Sequence, residues 1–130
     1  MKYMLSVLLF FFVLDCHSDS AGSLNEDGSF KLKETSLKVL GVKFHKLSEP
    51  GPWQVPSSSL LNIKFSKGVY RKYDNSITFI LVNIIKQDDH KIVISSPDLE
   101  SGDEVAVDGV TFLRLTEADL KSDTVDACAH

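Results

Sequence analysis

Apolar residues recur at every second position through most of this chain, and no other feature limits its fold as much. Side chains two residues apart share a face only on an extended strand. "FKLK" sends Phe30 and Leu32 one way and Lys31 and Lys33 the other. "SLKV" repeats the pattern with Leu37 and Val39, and "LNIKFS" with Leu61, Ile63 and Phe65. The phase flips before Val42 and Phe44, which predicts a bulge or break at Gly41. "SITFILVNIIK" is apolar on both phases, as a central strand covered on both sides would be, and "KIVIS" can pair back on it.

In "DEVAVDGVTFLRL", Asp108 and Gly109 read as a two-residue hairpin turn. That turn sets Val107 opposite Val110, Val105 opposite Phe112 and Asp103 opposite Arg114. "TEADLK" then reads as a short helical turn capped by Thr116, with Asp119 three residues on. These segments predict an all-β chain: a small antiparallel β-sandwich or partly closed barrel of about eight or nine short strands, with a short C-terminal helical turn. The expected organisation is a signal peptide over residues 1–20, a flexible N-terminal arm over 21–29, one β domain over 30–121 and a flexible tail over 122–130.

The leader carries Lys2, an apolar run over residues 5–14 broken only by Ser6, and then small or polar residues. That layout predicts export, with cleavage after Ser18 or Ser20. A spanning helix needs about twenty apolar residues, so no transmembrane segment is expected. Cys16 after the apolar run raises a lipid-anchored alternative, but Asp15 stands where a small residue is wanted. Removal of the leader leaves Cys128 as the one cysteine, so the mature chain can form no internal disulfide. Cys128 is either a free thiol or the link of a disulfide-bonded dimer. Asn25, Asn62, Asn75 and Asn83 all lack the glycan acceptor pattern.

Charge is segregated. Residues 28–86 hold ten Lys/Arg against Glu34, Glu49 and Asp74, while residues 87–130 hold three against eleven Asp/Glu. Such asymmetry can mark an interaction surface. Lys31, Lys33, Lys38, Lys43 and Lys64 fall on the polar phase of their segments, which would line one basic sheet face for an anionic partner. The alternative is that these lysines guard exposed strands and that the acidic half cancels them. "KGVYRKYDN" adds Tyr70, Arg71 and Lys72, a mixture common at interfaces, although one of its tyrosines can equally pack inward on an edge strand. The net charge of −4 and the absence of a recognition motif argue against nucleic acid.

"SEPGPWQVPSSS" joins two predicted strands and holds three of the four prolines and the only tryptophan. Pro50, Pro52 and Pro56 stiffen it. Trp53 either covers the core or stands out as a contact residue. The candidate binding residues are therefore Trp53, Tyr70, Arg71, Lys72, Lys43 and Lys64.

No catalytic motif occurs: no Gly-x-Ser-x-Gly elbow, phosphate-binding glycine loop or His-Glu-x-x-His. "DDH" (Asp88, Asp89, His90) and "DACAH" (Asp126, Cys128, His130) carry metal-ligand types but not the convergent spacing of a stable site. No cofactor is expected. The expectation is a secreted, non-enzymatic binding protein acting on an extracellular protein or anionic surface, of the kind found among venom, saliva or parasite effectors. The alternatives are a carrier of small hydrophobic ligands with a β-barrel cavity, and a small hydrolase whose site sequence does not reveal.

Overall fold

The computed structural model describes residues 22–126, with side chains described through residue 122. The leader, Cys16, Cys128 and the "ACAH" end of the tail motif lie outside the described residues. The chain runs β1 (Gly22–Leu24), β2 (Phe30–Leu32), α1 (Glu34–Val39), β3 (Lys43–Lys46), β4 (Trp53–Pro56), β5 (Leu61–Ile63), β6 (Ser66–Tyr73), β7 (Ser76–Leu81), β8 (Asn83–Gln87), β9 (Lys91–Ser95), β10 (Glu104–Asp108) and α2 (Val110–Asp126). All strand pairs are antiparallel. A seven-stranded sheet has the order β1-β2-β7-β6-β10-β3, with β5 also on β6, and a three-stranded sheet has the order β4-β9-β8. The fold is a small β-sandwich. Among the described residues the sheets do not close into a barrel.

The larger sheet is a middle layer, and alternation explains why. On β6, Val69 faces the smaller sheet and Tyr70 the helices; on β10, Val105 and Ala106 divide the same way. One core cluster lies between the sheets, built on Val55, Val69, Ile80, Ile92, Ile94 and Val105. The other lies under the helices, built on Phe30, Leu37, Tyr70, Ile77, Val110 and Leu113. Each such side chain, fully buried, is worth about 1.5–3 kcal/mol of transfer free energy. The apolar phases thus fill two packed cores.

"SITFILVNIIK" shows both layers at once. Ile77 and Phe79 face the helices, while Ile80 and Val82 face the smaller sheet. At Val82 the chain leaves the larger sheet and continues as β8 in the smaller one. A strand that crosses from sheet to sheet needs an apolar residue at nearly every position.

Four segments differ from expectation. Residues 34–39 are a helix, because Leu37 alone must point inward while Val39 stays 86% exposed. The break at Gly41 is the end of that helix: Gly41 has φ +68, its N–H donates to the Lys38 carbonyl at 3.1 Å, and the Val42 N–H donates to the Leu37 carbonyl at 3.0 Å. This is the left-handed glycine stop.

The Asp108-Gly109 hairpin does not form. Gly109 does turn the chain (φ +71), but α2 comes after it. "VTFLRL" satisfies a helical period as well as a strand period, since Val110 and Leu113, three residues apart, lie on one helical face that Leu120 continues. The uncovered face of the larger sheet decides between them. Asp103 accordingly lies 3.9 Å from Arg71 and not opposite Arg114. Thr116 sits inside α2 and donates to the Phe112 carbonyl at 2.8 Å instead of capping a new helix.

The helix also extends through residues 122–126, where a loose tail was expected. The N-terminal arm contributes β1, which pairs Gly22 with Leu32. Its turn is tied by the Asn25 N–H to the Ser29 carbonyl (2.8 Å) and by the Ser29 hydroxyl to Asp27 (2.6 Å). The two Ser29 hydrogen bonds hold the Asp27 carboxyl below its ordinary pKa.

Candidate binding surface

Ile63 pairs with Ser66, so Lys64 and Phe65 alone make the turn between β5 and β6. Such turns favour glycine or asparagine. Here Lys64 takes a left-handed φ of +55, a conformation that costs a non-glycine residue about 1–2 kcal/mol. Phe65 beside it is fully exposed, at 105%. A phenyl ring held in water on a costly turn gives nothing to folding, which makes it the least explained residue of the fold.

The surface around this tip is mixed. Leu81 is 57% exposed, and Gly68 faces it across the strands. Gly68 has no Cβ, and one built there would lie 2.5 Å from the Phe79 ring. The missing Cβ lets the Phe79 ring approach the β6 backbone at Gly68. Between the hairpin and α2 runs a groove of ≈ 460 Å³, lined by Ile63, Phe79 and Leu81 and edged by Lys64, Arg114 and Lys121.

Residues 114, 117 and 121 share one flank of α2 because they are spaced by three and four. Glu117 is buried at the back of the groove. Lys121 Nζ lies 2.5 Å from one of its oxygens and Arg114 Nη1 3.7 Å from the other. The Tyr70 hydroxyl donates to Glu117 as well. Burial first, and then the neighbouring carboxylate, raises the Tyr70 pKa well above its ordinary value. Lys64, Arg114 and Lys121 thus edge the groove, and the Glu117 carboxylate at its back is held by Tyr70 and by two of them.

Of the predicted residues, only Lys64 stands on this surface. Tyr70 is buried under α2, edge-on to Phe30 (6.0 Å) and Phe79 (5.7 Å). Arg71 binds the Asp98 carbonyl at 2.6 Å and lies 3.9 Å from Asp103, holding the 96–103 loop. Lys72 sits 5.0 Å over the Phe44 ring. Lys43 lies on the outer edge strand, 3.8 Å from Asp108. Trp53 is half-buried on the inter-sheet core, its N–H donates to the Glu49 carbonyl (2.6 Å), and Gly51 packs on its face. It pins its own loop. The five lysines do not gather on one patch of a sheet: Lys38 is on α1, Lys64 is in the β5–β6 turn, and three strands separate β2 from β3.

A second cleft, of ≈ 340 Å³, opens between the free edges of β3 and β4 and is lined by His45, Gln54, His90 and Val107. The nearby Ser57 and Ser58 hydroxyls donate to the Asp89 (3.2 Å) and Val107 (2.7 Å) carbonyls. Among the described residues no three His, Cys, Asp or Glu side chains are grouped to hold a metal, and no helix is long and apolar enough to cross a membrane. No family model, no curated protein and no solved structure matches the chain.

Sequence reasoning missed Phe65, Leu81, Arg114 and Lys121. "LNIKFS" alternates cleanly, so Phe65 read as the third inward residue of a strand that in fact ends at Ile63. The turn lacks its usual residues, and no local signal marks it. Arg114 and Lys121 become neighbours only once residues 110–126 are a helix.

Proposed function

We propose that the protein is a secreted binding protein without catalytic activity, which acts outside the cell by docking the β5–β6 hairpin and the adjoining flank of α2 on an anionic partner surface. The fully exposed Phe65 ring, held on a left-handed lysine turn, carries this reading. Lys64, Arg114 and Lys121 around the groove set the sign of the partner's charge. Export rests on the leader, with its apolar run over residues 5–14.

A protein of net charge −4 has no overall attraction to a polyanion. Retention on a heparin matrix at low salt therefore reports a local positive face. The wild type is expected to be retained and to elute with salt. Lys64→Glu is expected to elute earlier with its thermal midpoint unchanged, since the side chain is exposed at a turn. Flow-through of the wild type, or retention that K64E does not change, would count against the reading.

A further inference from the structure

We propose that the surface docked by this face is an anionic phospholipid bilayer, with the Phe65 ring entering the headgroup–acyl boundary and Lys64, Arg114 and Lys121 lying among the headgroups. The inference rests on reading this face as the contact surface and adds the identity of what it contacts.

The shape of the patch favours a bilayer over the other anionic surfaces. Phe65 is convex: it stands at the tip of a hairpin, exposed over its whole ring, at the rim of the groove that it shares with Leu81. A protein partner would need a matching pocket and about 800 Å² on each side for a stable interface. A sulfated glycan needs only cations and gives a phenyl ring nowhere to go. A bilayer takes a single convex apolar residue without a preformed cavity.

The charges are also set as a bilayer requires. Lys64 precedes Phe65 at the tip, so its aliphatic stem can follow the ring while the ammonium returns to the headgroups. Arg114 and Lys121 line the same groove from α2 and keep 38% and 48% of their side chains exposed. Leu81, also in that groove and half-exposed, extends the apolar contact. One aromatic residue and three cations give reversible attachment, since stable anchoring takes stronger signals.

The test is co-sedimentation of the full protein with large vesicles of phosphatidylcholine alone or with added phosphatidylserine, at physiological salt. Binding is expected only with phosphatidylserine. Phe65→Ser is expected to weaken it by about tenfold or more, and K64E by about fivefold or more. Both variants should keep the wild-type thermal midpoint. Phe65→Trp is expected to bind and to show a blue-shifted emission component on vesicles that the wild type, with Trp53 alone, lacks.

Vesicle binding that F65S leaves unchanged would overturn the inference, as would equal binding to phosphatidylcholine alone. Retention on heparin without any vesicle binding would overturn the bilayer and leave the contact face standing. Loss of both would remove the contact face too.

Discussion

Tyr70→Ala is expected to remove about 3–5 kcal/mol of stability, the cost of deleting a large buried aromatic side chain. A domain of this size has about 5–15 kcal/mol in all. The Tyr70 ring is fully buried between Phe30 and Phe79, under α2, and its hydroxyl donates to Glu117. Its removal opens a cavity and takes a partner from a buried carboxylate. Tyr70→Phe keeps the ring and is expected to cost about 1–3 kcal/mol for the unsatisfied group alone. Urea denaturation separates the two, with the midpoint falling and the slope kept. An alanine variant within about 0.5 kcal/mol of wild type, the range of surface changes, would show that α2 does not pack on this ring.

The same pair gives a pH dependence. Burial raises the Tyr70 pKa in the folded protein, so the native state holds this proton more tightly than the unfolded chain. The contribution is fully present below the unfolded tyrosine value of about 10 and is lost as pH rises above it. Wild type is therefore expected to lose stability with alkaline pH more steeply than Y70F, by up to about 1.4 kcal/mol per pH unit. Lysine titration is common to both proteins and cancels in the difference. Parallel stability curves would exclude a buried, protonated Tyr70.

Gly68→Ala is expected to cost about 1–3 kcal/mol, from overpacking between two central strands. A Cβ at this position would lie 2.5 Å from Phe79 Cζ and would collide with the Ile80 carbonyl oxygen. Neither can yield cheaply. The carbonyl belongs to the backbone of β7, and the ring is the floor of the groove beside the exposed tip. The substitution is therefore expected to weaken binding through Phe79 as well as folding, whereas F65S weakens binding alone. Ser66→Ala, exposed and two residues away, serves as the control and should be neutral within about 0.5 kcal/mol. A neutral G68A would mean that the Phe79 ring does not approach Gly68 this closely.

Short-range pattern made part of the fold legible in the sequence. β2, β5, β7, β9 and β10 fall on the alternating or doubly apolar stretches, and "SITFIL" was legible as covered on both faces because each phase serves a different core. Gly41 and Gly109 were legible as breaks because only glycine takes those backbone angles cheaply. The element after each break was not legible. Val110, Thr111, Phe112 and Leu113 suit either period, and the choice of helix depends on an apolar sheet face assembled from residues 30–106. Tyr70 was open to both readings, an interface residue among lysines and an arginine or a tyrosine packed inward, and the strand settles it inward because its neighbours face the other way. Phe65 was hidden for the opposite reason. It continued a strand pattern across a turn with no glycine or asparagine to announce it.

The central claim is that contact with an anionic partner is made by the hairpin–helix face and not by the cleft between β3 and β4. Amide chemical-shift mapping during titration with a short heparin fragment locates the contact on the intact protein. The expected result is that residues 63–66, Leu81 and residues 114–121 shift first and together, while His45, Gln54 and His90 stay in place. Shifts concentrated at His45, Gln54 and His90, with the Phe65 amide unmoved, would contradict the account.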